Sequence, residues 1–412
     1  MAVERLQVAS LSDRNTGLYI HIPFCLSKCS YCDFFSIPSE LRVPDSYVEA
    51  LCNEITAKFC CAEGTELCNF GGCSVDSVYI GGGTPSLLSS LQIKKLFDCI
   101  KNNVPLMQGV EITIEVNPDD VTPELLSVLA ENGVNRISCG IQSLNDECLS
   151  FCSRRANACV NEKALDLFRE YWHGKLSLDV ICAMPRETNE TFLRGLKTII
   201  SYNPDHISMY SLTVEEETPL GKRMSENLFT YDYDVADEMW FSGRDFLEKA
   251  GYAQYEVSNF CRDGNVCRHN MKYWSRGDYV GCGCGATGTL YYSDGSAERT
   301  TNINDVKAYI DYWKKYASKK QEDAVVPFVI EQIDEKDGQF EFFMMALRKI
   351  AGFCEEDFES CFGKKLPQNF RALFSKWQEK ELAETYIKEN KTYYTLGRRG
   401  IIYLNSFLEE LL

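Results

Sequence analysis

Cys25, Cys29 and Cys32 fall within eight consecutive residues, inside the stretch "FCLSKCSYCDFF". Thiolates are ligands for zinc and for iron–sulfur clusters, and both usually take four protein ligands. For zinc, Cys29 and Cys32 would form one pair. The second would come from Cys282 and Cys284, or from Cys60, Cys61, Cys68 and Cys73. None of these has zinc-ribbon spacing, and Cys25 is left over. A redox C-x-x-C pair leaves Cys25 equally unexplained. A [4Fe–4S] cluster on three thiolates uses all of them and leaves one iron open. A small molecule chelating that iron could receive an electron directly from the cluster. The flanking aromatics Phe24, Tyr31, Phe34 and Phe35 would keep such a site dry.

Other polar and glycine-rich residues follow the strands. In "GGGTPS" the amides of Gly82 and Gly83, with the Thr84 hydroxyl, can approach a carboxylate or amine closely, because glycine has no Cβ. Glu115 ends an apolar run and could pair with an ammonium, or serve as a helix-cap partner ahead of Pro118. Gln142, Arg154 and Asp179 are further polar candidates, each also open to a structural role. Tyr19 lies beside the cysteine loop or in the core, and Tyr210 and Ser211 end another run.

There are four histidines, His21, His173, His206 and His269. His269 opens "HNMKYW", beside the aromatics Tyr273 and Trp274, where its imidazole could serve as a ligand. Arg268 and Cys267 stand just before it. The plain alternative for His269 is a hydrogen-bonded structural role, the role expected of His21 and His206 within strands.

The elements that position these groups recur. Six β-branched runs, "LYIHI" (18–22), "SVYI" (77–80), "VEITIEV" (110–116), "RISCGI" (136–141), "LSLDVI" (176–181) and "HISMYSL" (206–212), alternate with amphipathic segments. One of these, "TPELLSVLAENG", has Thr122 as N-cap, Pro123 in the first turn and Gly133 as its stop. Strand and helix repeated in this way make an α/β protein with a parallel sheet, either doubly wound or an incomplete barrel. The polar and glycine-rich residues follow the carboxyl ends of the strands, where ligands bind in such folds. Beyond residue 230 come a helix, a tyrosine-rich strand and an irregular stretch dense in Gly, Cys and aromatics (261–290). A lysine-rich segment (311–325) reads as a solvated helix and linker. The remainder is mainly helical and ends in a helix and hairpin. The expected domains are 1–230, 231–325 and 326–412.

Bulk properties narrow the setting. The chain has 412 residues, 45% hydrophobic and 25% charged, which are ordinary globular values. A net charge of -17 repels phosphate backbones and anionic lipid, so no nucleic-acid partner is expected. The first residues have no basic start followed by an apolar run, and no apolar stretch is long enough to span a bilayer. A cytoplasmic location follows as the expectation. Most of the 20 cysteines are then reduced thiols, and many, such as Cys139 and Cys182, sit in apolar runs as packing residues.

The C-x3-C-x2-C loop with its aromatics resembles the cluster motif of the radical S-adenosylmethionine (SAM) superfamily. The resemblance runs through "YIHIPFC", "GGGTPSLL", "EITIEVNP", "NRISCGIQSLND", "HISMYSL" and "CRHNMKYW". It is to the oxygen-independent coproporphyrinogen III oxidase group, and within it to the HemW subgroup of heme chaperones. The dehydrogenase branch has a further cysteine two places after the third ligand and a long N-terminal arm. Here Phe34 holds that place, and 18 residues precede Tyr19. The resemblance implies a partial (β/α)6 radical SAM barrel with a smaller, mainly helical, winged-helix-like C-terminal domain. It implies a [4Fe–4S] cluster on Cys25, Cys29 and Cys32 with SAM on the open iron, where an electron splits SAM to a 5′-deoxyadenosyl radical. SAM contacts would be Tyr19, Tyr31, Gly82, Gly83, Thr84, Glu115, Gln142, Arg154, Asp179 and Ser211. Heme would sit near His269, Tyr273 and Trp274, with the imidazole as axial ligand, the two rings as flat apolar surface for the porphyrin, Arg268 meeting a propionate and Cys267 as an alternative or second ligand. The partners would be recipient hemoproteins and a low-potential electron donor. The alternatives are oxidative decarboxylation of coproporphyrinogen III and a structural metal-binding module. Two positions depart from the pattern. Ser153-Arg154-Arg155-Ala156 stands in place of Gly-Arg-x-His, and Thr287 stands where the subgroup tends to have histidine.

Overall fold

The computed structural model describes residues 15–39, 43–60, 73–317 and 327–412. The N-terminal segment, Cys61, Cys68 and most of the expected linker lie outside the described residues.

Six parallel strands stand in chain order: β1 (Asn15–Ile22), β2 (Ser74–Gly82), β3 (Leu106–Val116), β4 (Arg136–Gln142), β5 (Lys175–Cys182) and β6 (His206–Ser211). The helices that follow them are α1 (Asp45–Cys60), α2 (Ser90–Asn103), α3 (Pro123–Glu131), α4 (Ala158–Tyr171), α5 (Asn189–Ser201) and α6 (Tyr233–Lys249). This is the expected six-unit barrel wall. Side-chain oxygens start most of these helices. Ser89 and Gln92 form a capping box on α2, Thr122 accepts from the Leu125 amide, and Asn157 and Thr188 cap α4 and α5.

Alternation along the strands explains the interior. Leu18, Ile20, Ile22, Val78, Ile80, Ile114, Ile137, Leu178 and Ile207 are buried against the helices. The intervening residues Tyr19, Tyr79, Glu115, Ser138, Asp179 and Ser208 point the other way, with Tyr19 opposite Tyr79, Glu115 opposite Ser138 and Asp179 opposite Ser208. An apolar residue at every second place therefore makes the outer core. The inner face forms a polar lumen, in contrast to the side-chain-filled interior of a closed barrel.

The sheet extends beyond six strands. Tyr279–Cys282 pairs parallel with β1, and Thr287–Tyr291, Ala297–Asn302 and Phe328–Ile333 continue outward as antiparallel neighbours. Asn259–Cys261 runs antiparallel to β6 on the far side. The stretch read as irregular thus contains a helix, Arg268–Trp274, and two strands. Its glycines hid the strand pattern because they allow close crossing. A Cβ on Gly281 would stand 2.3 Å from the Thr287 carbonyl oxygen, and one on Gly288 would stand 2.6 Å from the Gly281 nitrogen.

The lysine-rich helix, Val306–Ala317, is not solvated on all sides. It buries Tyr309, Tyr312 and Trp313, and Tyr309 donates to Glu54 of α1. Its lysines made it look more polar than the face that packs. Toward the C-terminus, four helices and a three-stranded sheet enclose a second core rich in phenylalanine, with Phe343, Phe353, Phe370 and Phe407 buried together. Arg398 ties this region to Asp245 and Glu248 of α6.

Candidate cofactor site at the carboxyl ends of the strands

The cysteine loop leaves β1 and folds over the lumen mouth. Phe24 and Cys25 pair with Ile37 and Pro38, so the loop closes on itself, and the Cys32 amide donates to the Cys29 carbonyl at 3.2 Å. The three thiols are half-buried. Burial pushes the Cys32 thiol up to about 11, and its neighbours Cys29 and Cys25 add to the effect. Among the described residues no group of three His, Cys, Asp or Glu side chains could hold a single metal ion. A four-iron cluster asks for a wider arrangement, with each cysteine on a different iron.

Donors already face two of the sulfurs. The Thr84 hydroxyl reaches Cys25 Sγ at 3.4 Å, and Arg154 Nη1 reaches Cys29 Sγ at 3.5 Å. The Tyr31 ring packs beside them in an apolar pocket that holds Cys148, Cys152, Met184 and Leu220. Gly83 sits against the loop so tightly that a Cβ there would lie 2.8 Å from the Phe24 carbonyl oxygen and 3.0 Å from Cys25 Sγ.

Asn117, which the sequence reading passed over, joins these donors. Its Nδ2 donates to Thr84 Oγ1 at 3.2 Å and its Oδ1 accepts from Arg154 Nη2 at 3.5 Å, while Ser86 Oγ accepts from its backbone amide. Arg154 Nη2 also donates to the Gly140 carbonyl at 2.7 Å. The available signal was position: Asn117 directly follows β3, and the residues after strands collect at the mouth.

Below the loop, Glu115 accepts from the Tyr79 hydroxyl at 2.8 Å and from the Gly82 amide at 3.1 Å. Burial pushes its pKa up to about 7, with nearby Asp179 adding to the shift. Asp179 is also raised by burial, although Ser138 Oγ donates to both of its oxygens at 3.1 and 3.0 Å. Two half-buried carboxyls that repel each other, with donors already spent on them, fit a ligand that brings a cation and hydroxyls. Gln142 holds a left-handed backbone at φ 65°, and its Oε1 is buried without a hydrogen-bond partner, as is Arg154 Nε. These orphaned groups face the same mouth and mark unfilled binding capacity.

Tyr19 reaches the loop indirectly. Its hydroxyl lies 2.8 Å from His21 Nδ1, while His21 Nε2 donates to the Phe35 carbonyl at 3.0 Å. Ser211 is exposed at the end of β6, beside the partly exposed Tyr210.

The "HNMKYW" segment lies at the opposite end of the lumen. His269 is fully buried, near Gly17 and Ser77 at the amino ends of β1 and β2. Its ring nitrogens lie 3.1 Å from Ser77 Oγ and 2.9 Å from the Tyr273 hydroxyl, and the ring stacks on Tyr79. Glu111 Oε1 accepts from the amides of Arg268 and His269 and so anchors this short helix. Burial lowers the His269 pKa to about 3, so the ring is neutral. Ligation of an iron by His269 therefore requires this helix to move. Trp274 is half-buried under Arg348, and Cys267 is buried.

Comparison with known proteins agrees with this geometry. The radical SAM superfamily profile matches residues 19–199. The chain is 33% identical over 397 residues to the "Heme chaperone HemW" of Escherichia coli K12, covering 96% of this chain and 98% of that protein. It is also 33% identical over 397 residues to the protein of that name from Bacillus subtilis, covering 95% and 99%. "Radical S-adenosyl methionine domain-containing protein 1, mitochondrial" from mouse is 34% identical over 302 residues, covering 73% and 66%. The solved structure of coproporphyrinogen III oxidase (HemN) from E. coli, described as a radical SAM enzyme, superposes with a TM-score of 0.78 at 21% identity, covering 97% and 90%, and so shares the fold. By its barrel, its three-cysteine loop and its end-to-end similarity to these relatives, the chain belongs to the radical SAM superfamily and, within it, to the HemW family.

Proposed function

We propose that this protein is a heme chaperone that binds heme and passes it to recipient hemoproteins, on a barrel that also carries a [4Fe–4S] cluster and SAM. The observation that carries the reading is similarity over nearly the full length to proteins named heme chaperones. Cys25, Cys29 and Cys32 would hold the cluster. Gly82, Gly83, Thr84, Glu115, Gln142, Arg154 and Asp179 would hold SAM, with Tyr19, Tyr31 and Ser211 at its margins. When bound, the pair supplies one-electron chemistry fed by a low-potential donor. The residues' own work is to bind and to orient. Glu115 ionises to meet an ammonium, Arg154 and the glycine amides meet a carboxylate, and the apolar pocket around Tyr31 excludes water. The proposed setting is the cytoplasm; no helix among the described residues is long and apolar enough to cross a membrane.

Asn117 is a positioning residue in this reading, because it orients the two side chains that donate to Cys25 and Cys29. Hydrogen bonds to cluster sulfurs set the reduction potential. Asn117→Leu is therefore expected to bind a full cluster with its midpoint potential shifted to more negative values, read by redox titration with EPR detection. An unchanged potential would remove Asn117 from this role.

Heme is proposed to bind at the "HNMKYW" segment. Titration of the anaerobic, cluster-loaded protein with heme is expected to perturb the Soret band. His269→Gln, which keeps hydrogen-bonding capacity for Ser77 and Tyr273, is expected to lose that perturbation. An unchanged spectrum in the variant would place the ligand elsewhere. No perturbation in the wild type, together with conversion of coproporphyrinogen to protoporphyrinogen, would overturn the chaperone assignment.

A further inference from the structure

A second group of cysteines lies on the outer wall of the barrel, away from the loop that follows β1. On α1, Cys52, Thr56 and Cys60 recur every four residues and so share one stripe. On α2, Cys99 and Asn103 do the same. The two stripes face each other. Cys99 Sγ donates to the Cys52 carbonyl at 3.5 Å, Thr56 Oγ1 lies 3.9 Å from the same sulfur, and Asn103 Nδ2 donates to it at 3.5 Å. The contact of Cys99 Sγ with the Cys52 backbone brings the two cysteines side by side across the seam. Cys60 Sγ donates to Asn103 Oδ1 at 3.4 Å, which orients that amide.

This pair differs in kind from the packing cysteines. Cys139 and Cys182 are fully buried among aliphatic side chains, and burial pushes both thiols up. Cys52 and Cys99 are half-buried at the edge of the core and in no disulfide, and Asn103 and Thr56 face the Cys99 sulfur. The Cys99 thiol is lowered to about 7, chiefly by neighbouring Cys52, with Thr56 and Asn103 contributing. A lowered thiol that keeps part of its surface open and lies beside a second cysteine is the arrangement of a reactive dithiol.

We propose that Cys52 and Cys99 form a redox-responsive dithiol that hydroperoxides oxidise to a disulfide joining α1 to α2. The Cys99 thiolate attacks the hydroperoxide oxygen. The O–O bond breaks, the departing oxygen takes a proton and leaves as water or an alcohol, and Cys99 becomes a sulfenic acid. Cys52 sulfur then attacks Cys99 sulfur. The S–O bond breaks, and its hydroxyl leaves as water with the Cys52 proton. Two thiols lose two electrons in total, and the peroxide gains them. The cross-link would tie the helix that follows the cysteine loop to the helix that follows the glycine loop. The inference does not depend on what the mouth binds.

The test treats the full-length, reduced protein with equimolar hydrogen peroxide, blocks remaining thiols with N-ethylmaleimide and maps peptides without reduction. The expected products are a Cys52–Cys99 disulfide in the wild type and a dimedone adduct on Cys99 in Cys52→Ser. In Cys99→Ser, Cys52 is expected to stay reduced. Oxidation confined to other cysteines, a disulfide from Cys99 to Cys60, or dimedone trapped on Cys52 in Cys99→Ser would each overturn the proposal. Melting curves of the reduced variants matching the wild type exclude a misfolded seam as the cause of a negative result.

Discussion

Replacing Cys25, Cys29 or Cys32 with alanine is expected to lower bound iron and sulfide by at least about tenfold after anaerobic reconstitution, since even groups behind a metal's ligands change affinity by 10–100-fold. Each sulfur has its own place in the loop: Cys25 beside Thr84 and Gly83, Cys29 beside Arg154 and Tyr31, and Cys32 in the turn closed on Cys29. No one of them can stand in for another. Gly83→Ala should act in the same direction with all three thiols present. Its Cβ would meet the Phe24 backbone, which cannot yield as a flexible side chain can, and so would push the loop off its seat. Cys139→Ala is the control. It removes a buried packing sulfur and should leave iron binding intact at a modest cost in stability. Iron content unchanged in any one of the loop variants would contradict the assignment.

The second large effect is at the closed end of the lumen. His269→Ala is expected to destabilise the fold by about 3 kcal/mol, from the cavity it leaves and from the Ser77 and Tyr273 hydroxyls it strands. His269→Gln should recover much of this loss, which is why the glutamine variant suits the heme titration. Acid unfolding supplies a second readout. His21, His206 and His269 are all held below the ordinary histidine range by burial, so they are neutral in the fold and protonated in the unfolded chain below about pH 6.5. The unfolded state then binds more protons, and stability falls with pH by up to ~1.4 kcal/mol per unit for each ring. Glu115, Glu187 and Glu256, raised to about 7 by burial, act in the opposite sense. They hold protons in the fold that the unfolded chain releases, so between about pH 7 and 4.5 the three carboxyls offset the three rings, and that offset ends near pH 4.5. Below that, His269 continues to titrate toward about 3. Chemical denaturation at stepped pH should therefore show a loss below about pH 4.5 that is shallower in His269→Gln. An identical acid limb in both proteins would remove His269 from the account.

The legible parts of this molecule were those in which one residue type carried the signal. Three cysteines at fixed spacing identified the loop, and a glycine run after the next strand identified its neighbour. Apolar alternation located all six strands, because each has a face against helices. The inward face was harder to read. Ser138, Ser177 and Ser208 look like ordinary strand residues, and only the register that brings them to Asp179 gives them a task. Asn117 was hidden for the same reason, since its partners are Thr84, 33 residues earlier, and Arg154, 37 residues later. The strand at Tyr279–Cys282 escaped because glycines replaced its apolar alternation. The helix at Val306–Ala317 was misread because its lysines outweighed the buried Tyr309 and Trp313. His269 was read from type and company alone. Composition could not show that it closes the floor of the lumen.

Mössbauer spectroscopy of protein reconstituted with isotopically enriched iron, recorded with and without SAM, addresses the open coordination place most directly. Three protein sulfurs leave one iron distinct, and addition of SAM should change the parameters of that iron alone. Four equivalent irons that ignore SAM, or zinc in place of iron after anaerobic purification, would contradict the account.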